Sequence, residues 1–228
     1  MPGASLSNPT GFKVEKGLGS LDPGPFFLRY NTVMAAERTQ DIAGPVLPGN
    51  VVLIGFMGCG KTTLGRLLAK RLDATFVDTD RLVESEFGPI PALFESRGEA
   101  FFRDRESEVI DRACTERGLV IATGGGAVLR PANCEAMRSS GLVIWLTARV
   151  DIIVSRTSRR RHSRPLLDVA DPRERVLRLL GERSPLYRGC SHRIVDTSDR
   201  APTSVVRHMV RLVEQWSHEV PPVDEVRQ

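Results

Sequence analysis

The chain has 228 residues, of which 41% are hydrophobic and 26% charged, the make-up of a globular protein able to bury a core. No apolar run approaches the ~18–20 residues needed to cross a membrane, and the charged-then-apolar start of a secretory signal is missing. The net charge of +4 suits a phosphate-rich ligand as well as a nucleic acid, and the four cysteines, Cys59, Cys114, Cys134 and Cys190, form no C-x-x-C pair that would suggest zinc or a disulfide framework.

Residues 1–48 are rich in proline and glycine and poor in periodicity, so they read as a flexible N-terminal extension. From Val51 the pattern changes. Val51–Ile54 is a short apolar run suited to a buried parallel strand. Leu64, Leu67, Leu68 and Leu72 then recur at helical spacing. Thr75–Val77 is a second strand, and helical patterns cover Ile90–Ser96 and Glu99–Arg117. Leu119–Ala122 is a third strand, ended by Gly124, Gly125 and Gly126. Pro131 opens a helix, Leu142–Leu146 is a fourth strand, Val150–Arg156 and Pro172–Tyr187 are helical, and His192–Val195 is a fifth strand. A last helix starts near Pro202, with Val205, Val206, Met209, Val210 and Val213 on one face. Strands alternating with helices predict a three-layer α/β/α domain with a five-stranded parallel sheet, spanning 49–217, followed by a tail over 218–228. Ligands of such sheets bind at the carboxyl ends of the strands.

The first strand runs into Gly55-Phe56-Met57-Gly58-Cys59-Gly60-Lys61-Thr62-Thr63. This is G-x-x-x-x-G-K-[ST] with a strand before it and a helix after it, the context that makes the motif a phosphate-binding loop. The glycines let backbone N–H groups turn inward, and the helix adds its positive end. Lys61 is placed to reach the β- and γ-phosphates, and the Thr62 hydroxyl is a hard ligand for Mg²⁺. A guanine-reading N-K-x-D is absent, and the third strand ends in a glycine turn where a motor ATPase carries a metal-holding aspartate. Small-molecule kinases remain. The second strand ends in Asp78-Thr79-Asp80. Asp78 can hold Mg²⁺ through water, and Asp80 can hydrogen-bond an attacking hydroxyl, since phosphoryl transfer needs orientation more than a strong base. The plainer alternative makes Asp80 a helix cap.

Together these motifs resemble those of the shikimate kinases. The resemblance runs from about Val51 to about Trp216. It adds Gly98-Glu99 with Phe101-Phe102-Arg103-Asp104-Arg105-Glu106, then Ala122-Thr123-Gly124-Gly125-Gly126, Arg164-Pro165-Leu166-Leu167 and Arg183-Ser184-Pro185-Leu186-Tyr187. It implies phosphorylation of the 3-hydroxyl of shikimate by Mg-ATP, on a P-loop kinase fold with a mobile lid over about 157–170. It implies ATP contacts from Gly58, Cys59, Gly60, Lys61, Thr62, Thr63, Arg156, Arg164 and Arg200, with Arg156 against the adenine and Arg164 delivering charge to the transferring group. Arg200 stands in for a basic residue that relatives carry where this chain has Asp199. Arg103 and Arg183 would bind the substrate carboxylate, with Glu106 orienting both. Asp80, Gly124, Gly125 and Gly126 would contact the rest of the substrate. Lys61, Asp80 and Arg164 are the expected catalytic residues, and Thr62 and Asp78 the expected metal ligands.

The plainer alternative for Arg103 and Arg105 is a solvated helix face paired with Asp104 and Glu106, expected to hold for Arg105, and for Arg159–Arg161 a basic surface is expected. The chain is expected to act as a cytoplasmic monomer on small molecules, without nucleic acid or membrane. The alternatives are a gluconate kinase-like enzyme, a nucleic-acid-binding module using the arginine segment, and a binding-only pseudokinase. The low aromatic content (6%) argues against the second, and intact Lys61, Thr62, Asp78, Asp80 and Arg164 against the third.

Overall fold

A computed structural model describes residue 47 and residues 49–158 and 171–219. The extension over 1–46, the arginines Arg159–Arg161, Arg164 and most of the expected lid lie outside the described residues, as does nearly all of the tail. In chain order the elements are β1 (Asn50–Ile54), α1 (Lys61–Leu72), β2 (Thr75–Asp78), α2 (Thr79–Phe87), α3 (Ile90–Thr115), β3 (Leu119–Ala122), α4 (Pro131–Ser140), β4 (Gly141–Thr147), α5 (Val150–Ser158), α6 (Pro172–Cys190), β5 (Arg193–Asp196) and α7 (Pro202–Glu219). A single 3₁₀ turn, Ala127–Leu129, links β3 to α4.

All five strands pair in parallel in the order β2-β3-β1-β4-β5. The apolar runs of β1, β3 and β4 are buried along almost their whole length, as strands covered by helices on both faces must be. Alternate residues point to opposite faces. Val51, Leu53, Leu142, Ile144 and Leu146 share one core with Leu64 and Leu68 of α1, Ile153 of α5, Leu179 of α6 and Val205, Met209 and Val213 of α7. The spacing of the α7 valines thus serves the packing that the sequence predicts.

Two local features refine the sequence reading. Residues 90–115 form one helical stretch interrupted at Gly98, where φ is +81° and ψ 170°. A glycine in that conformation separates the two helical patterns seen in the sequence. Among the described residues nothing stands within 4 Å of the place a Cβ would occupy there. Helix α2 starts directly after β2, and its N-cap is Asp78, whose carboxylate accepts from the Arg81 N–H at 3.4 Å. The capping role considered for Asp80 therefore belongs to Asp78, and Asp80 sits in the first helical turn.

The sheet edge at β5 is tied in by a side chain. The His192 Nδ1 accepts from the Val143 N–H at 3.0 Å, while the His192 N–H donates to the Val143 carbonyl at 2.8 Å. The ring also lies 4.6 Å from Trp216 of α7. Burial, helped by Arg138 and Arg193, pushes the imidazole down to about 4. The folded state thus excludes a proton that the unfolded chain takes up near 6.5, so stability is full above that value and falls as pH drops through it toward 4. Urea titrations between pH 7 and pH 4 should show a shallower loss of stability for His192→Asn than for the parent chain; parallel slopes would refute the assignment.

Candidate active site

The phosphate loop begins where β1 ends. Gly58 and Gly60 adopt φ of +83° and +92°, conformations that side chains resist, and Gly60 is the N-cap of α1. The loop therefore turns its backbone into the mouth of a helix N-terminus. Phe56 and Cys59 point into the protein and are 1% exposed, anchoring the loop from below. Burial raises the Cys59 thiol above its ordinary value, against the pull of Lys61 and Arg156, so it stays a thiol. The Lys61 ammonium donates to the carbonyls of Gly55 at 2.7 Å and Phe56 at 3.1 Å. Its head is held at the loop, as a phosphate-binding lysine requires. Thr63 is exposed.

Next to Lys61, the Thr62 hydroxyl donates to Asp78 Oδ2 at 2.8 Å. The structure thus brings together the two expected metal ligands, one from α1 and one from the tip of β2. Asp80 stands two residues on. Burial first, then the charges of Asp78 and Glu106, push its carboxyl up to about 7, with Lys61 pulling the other way. A buried carboxyl perturbed by two neighbouring carboxylates is a candidate for a functional role.

The residues expected to take the substrate acid come from α3, α6 and the turn after β3. Arg103 and Glu106 of α3 form a buried pair at 2.6 Å, with side chains 10% and 1% exposed. Glu99 braces the same guanidinium at 3.0 Å. Burial would lower the Arg103 pKa, but Glu106 and Glu99 outweigh it and hold the guanidinium firmly charged. Burial lifts Glu106 above the usual carboxylate range, against Arg103, Arg130 and Arg183. Glu106 Oε1 has no hydrogen-bond partner among the described residues. A Cβ on Gly124 would lie 2.5 Å from that oxygen and 2.6 Å from Asp80 Oδ1, so the two carboxylates converge on this glycine. A Cβ on Gly126 would run into the Arg103 guanidinium. The close approach of backbone to charged groups is what Gly124 and Gly126 allow.

Arg183 reaches the same turn from α6. It is 7% exposed and donates to the Gly125 carbonyl at 3.2 Å. Glu106 holds Arg103 directly, while it meets Arg183 only through its charge, so the expected double orientation is half realised. The helix-surface alternative fails for Arg103, which is buried, and holds only in part for Arg105, which pairs with Glu108 at 2.8 Å and not with Asp104 or Glu106, packs over Phe87 and Phe101, and has a buried Nε with no hydrogen-bond partner among the described residues. Asp104 pairs with Arg130 at 2.6 Å.

On the nucleotide-base side, Arg156 donates to the Gly58 carbonyl at 3.2 Å and to Thr197, at 3.2 Å to the hydroxyl and 2.9 Å to the carbonyl. The Thr197 hydroxyl also bonds the Cys59 carbonyl at 3.1 Å. Arg156 and Thr197 together clamp the phosphate loop to the end of β5. Arg200 is exposed, and Asp199 is paired with Arg149. Sequence reasoning missed Thr197, Arg149 and the hydroxyl of Tyr187, which donates to the Gly125 carbonyl at 2.5 Å. Only the identity of Tyr187 within the Arg183–Tyr187 motif hinted at it.

A nucleotide-type loop at the switch point of a parallel sheet, beside a guanidinium-lined pocket, defines a P-loop small-molecule kinase. Comparison with known proteins narrows the class. Residues 57–214 match the family model "Shikimate kinase". The chain is 45% identical over 167 residues to shikimate kinase of Aromatoleum aromaticum, covering 73% of this chain and 95% of that protein. It is 48% identical over 158 residues to that of Pseudomonas fluorescens, covering 69% and 91%. Among solved structures, shikimate kinase from Acinetobacter baumannii in complex with shikimate superposes with a TM-score of 0.71 at 38% identity, over 73% of this chain and 93% of that one. A gluconokinase from Sinorhizobium meliloti shares the fold, with a TM-score of 0.51 at 19% identity over 76% and 98% of the two chains. The chain belongs to the shikimate kinase family.

Because Arg103 is tied to both Glu99 and Glu106, it has no room to yield to a neighbour. Gly126→Ala should lower stability by about 1–3 kcal/mol, the usual penalty of overpacking, measured by urea denaturation. An unchanged midpoint would show that the guanidinium moves freely.

Proposed function

We infer that this chain is an enzyme that transfers the γ-phosphoryl group of ATP to the 3-hydroxyl of shikimate, giving shikimate 3-phosphate and ADP in the route to chorismate and the aromatic amino acids. The observation that carries this reading is the pairing of two buried arginines, Arg103 and Arg183, around the Gly124–Gly126 turn, one strand away from the phosphate loop. Planar guanidiniums of this kind suit a carboxylate. The relative from Acinetobacter baumannii is described in complex with shikimate.

In this reading the loop amides from Gly58 to Thr63, with Lys61, hold the triphosphate. Arg103 and Arg183 fix the acid end of the substrate, and Gly124–Gly126 close on its ring. Asp80 accepts a hydrogen bond from the attacking hydroxyl and orients its oxygen in line with the γ-phosphorus. The new P–O bond forms as the bond to ADP breaks, and the hydroxyl proton leaves toward the carboxylate side of the site. Arg164, from the segment outside the described residues, supplies positive charge to the transferring group, and Arg156 and Arg200 border the nucleotide base. The hard oxygens of Thr62 and Asp78, 2.8 Å apart, fit Mg²⁺. Among the described residues no group of three His, Cys, Asp or Glu side chains could hold a metal, so these two residues would share a cation whose remaining ligands are water and phosphate. Such a cation neutralises phosphate charge as it is transferred. No helix among the described residues is long and apolar enough to cross a membrane; the chain is proposed to work as a monomer in the cytoplasm.

A substrate panel read out by ADP release tests the assignment. Shikimate should be turned over with Mg-ATP and gluconate should not; the reverse result would discard it. Arg103→Lys should raise the KM for shikimate about ten- to hundredfold, the worth of a charge-assisted hydrogen bond, and leave the KM for ATP unchanged. Asp80→Asn should reduce kcat about 10²–10⁴-fold with ATP affinity kept. The same variant should be the more stable one near pH 8. A carboxyl raised from 3.8 to about 7 in the folded state loses stability as pH climbs through that window, and an amide escapes the loss. Thermal melts should show a gain of about 2–4 °C per kcal/mol recovered.

A further inference from the structure

We propose that Tyr187 is a positioning residue for the acid substrate, because its hydroxyl holds the Gly125 carbonyl and so leaves the Arg183 guanidinium available. The proposal rests on the shikimate reading given above.

Two donors converge on the Gly125 carbonyl. The Tyr187 hydroxyl is 2.5 Å away and the nearer Arg183 nitrogen 3.2 Å. They are four residues apart on α6, so one helix face delivers both. The shorter bond sets where the carbonyl lies, and the longer one takes only a small part of a guanidinium with five N–H donors. Tyr187 is suited to the task by its rigidity. It is 0% exposed. Its ring stacks on Trp145 with centroids 5.6 Å apart and 21° between planes, and Trp145 is paired with Ile54 in the sheet. Burial lifts the phenol well above its ordinary value, against the charge and hydrogen bond of the neighbouring Arg183, so it stays protonated and donates. The carbonyl it holds belongs to the middle residue of the glycine turn. The site of a Cβ on Gly125 lies 3.5 Å from the Met57 nitrogen and 3.7 Å from the Gly55 carbonyl. The turn is therefore wedged between the acid pocket and the phosphate loop, where a small displacement alters substrate placement.

Without the hydroxyl, the Gly125 carbonyl is left with Arg183 as its donor. A buried acceptor that has lost one partner draws harder on the other. The guanidinium is then pulled toward the turn and away from a carboxylate in the pocket. The loop amides, fixed by β1 and α1, are not part of this exchange.

Tyr187→Phe removes the hydroxyl and keeps the ring on Trp145. The KM for shikimate should rise about three- to tenfold, the net worth of one buried hydrogen bond, with kcat and the KM for ATP within about twofold of the parent. In an Arg183→Lys background the same change should add less than about twofold to the KM for shikimate, since the residue it acts through is already altered. A KM for shikimate that does not move, equal rises for both substrates, or fully additive penalties would overturn the proposal. A Tyr187→Phe chain that melts below the assay temperature would also overturn it, by making the hydroxyl a determinant of the fold. A parent chain inert toward shikimate would instead overturn the substrate assignment.

Discussion

The pairing of β1 with β3 is the constraint on which the site depends. The strands are in register from Val51 opposite Val120 to Leu53 opposite Ala122, and the Thr123 N–H continues the ladder onto the Leu53 carbonyl at 3.2 Å. Both chains therefore leave the sheet at the same level. One becomes the phosphate loop and the other the glycine turn. The phosphate loop and the arginine-lined glycine turn are thereby brought side by side. The buried pairing of these apolar strands is what fixes the distance between the phosphate loop and the glycine turn.

The charges of the site are arranged at some expense to the fold. Glu106 is almost fully buried and has one oxygen without a partner among the described residues. Asp80 is crowded by Asp78 and Glu106. A buried ion pair is a weak source of net stability, so the Arg103–Glu106 contact is better understood as a device for holding a guanidinium still. The benefit is a guanidinium already oriented, which reduces the ordering that binding a ligand there would impose.

Much of this was legible in the sequence, for identifiable reasons. Val51–Ile54, Leu119–Ala122 and Leu142–Leu146 were readable as strands because both faces are buried and the apolar runs are unbroken. The phosphate loop was readable because backbone geometry dictates its glycines, and the chemistry of its ligand dictates Lys61 and Thr62. What escaped was interaction between segments distant in sequence. Thr197 joins β5 to the phosphate loop across 138 residues, and nothing in its neighbours signals that. Tyr187 stood in a recognised motif, but its bond to Gly125 spans 62 residues. That the helix cap falls to Asp78 and not Asp80 turned on where α2 begins, a boundary that an aspartate at either position could set.

Two glycines within the substrate half of the molecule are demanded for opposite reasons. At Gly98 the surroundings are open and the backbone lies at φ +81°, so what is refused there is a handedness. At Gly126 the backbone is an ordinary −104° and a guanidinium occupies the space, so what is refused is a volume. At the first position an ordinary side chain would find space but a backbone it resists, and at the second a backbone it accepts but no space. The same letter thus records a rule about chirality in one place and about occupancy in the other, and a substitution table that scores glycine once must misjudge one of them.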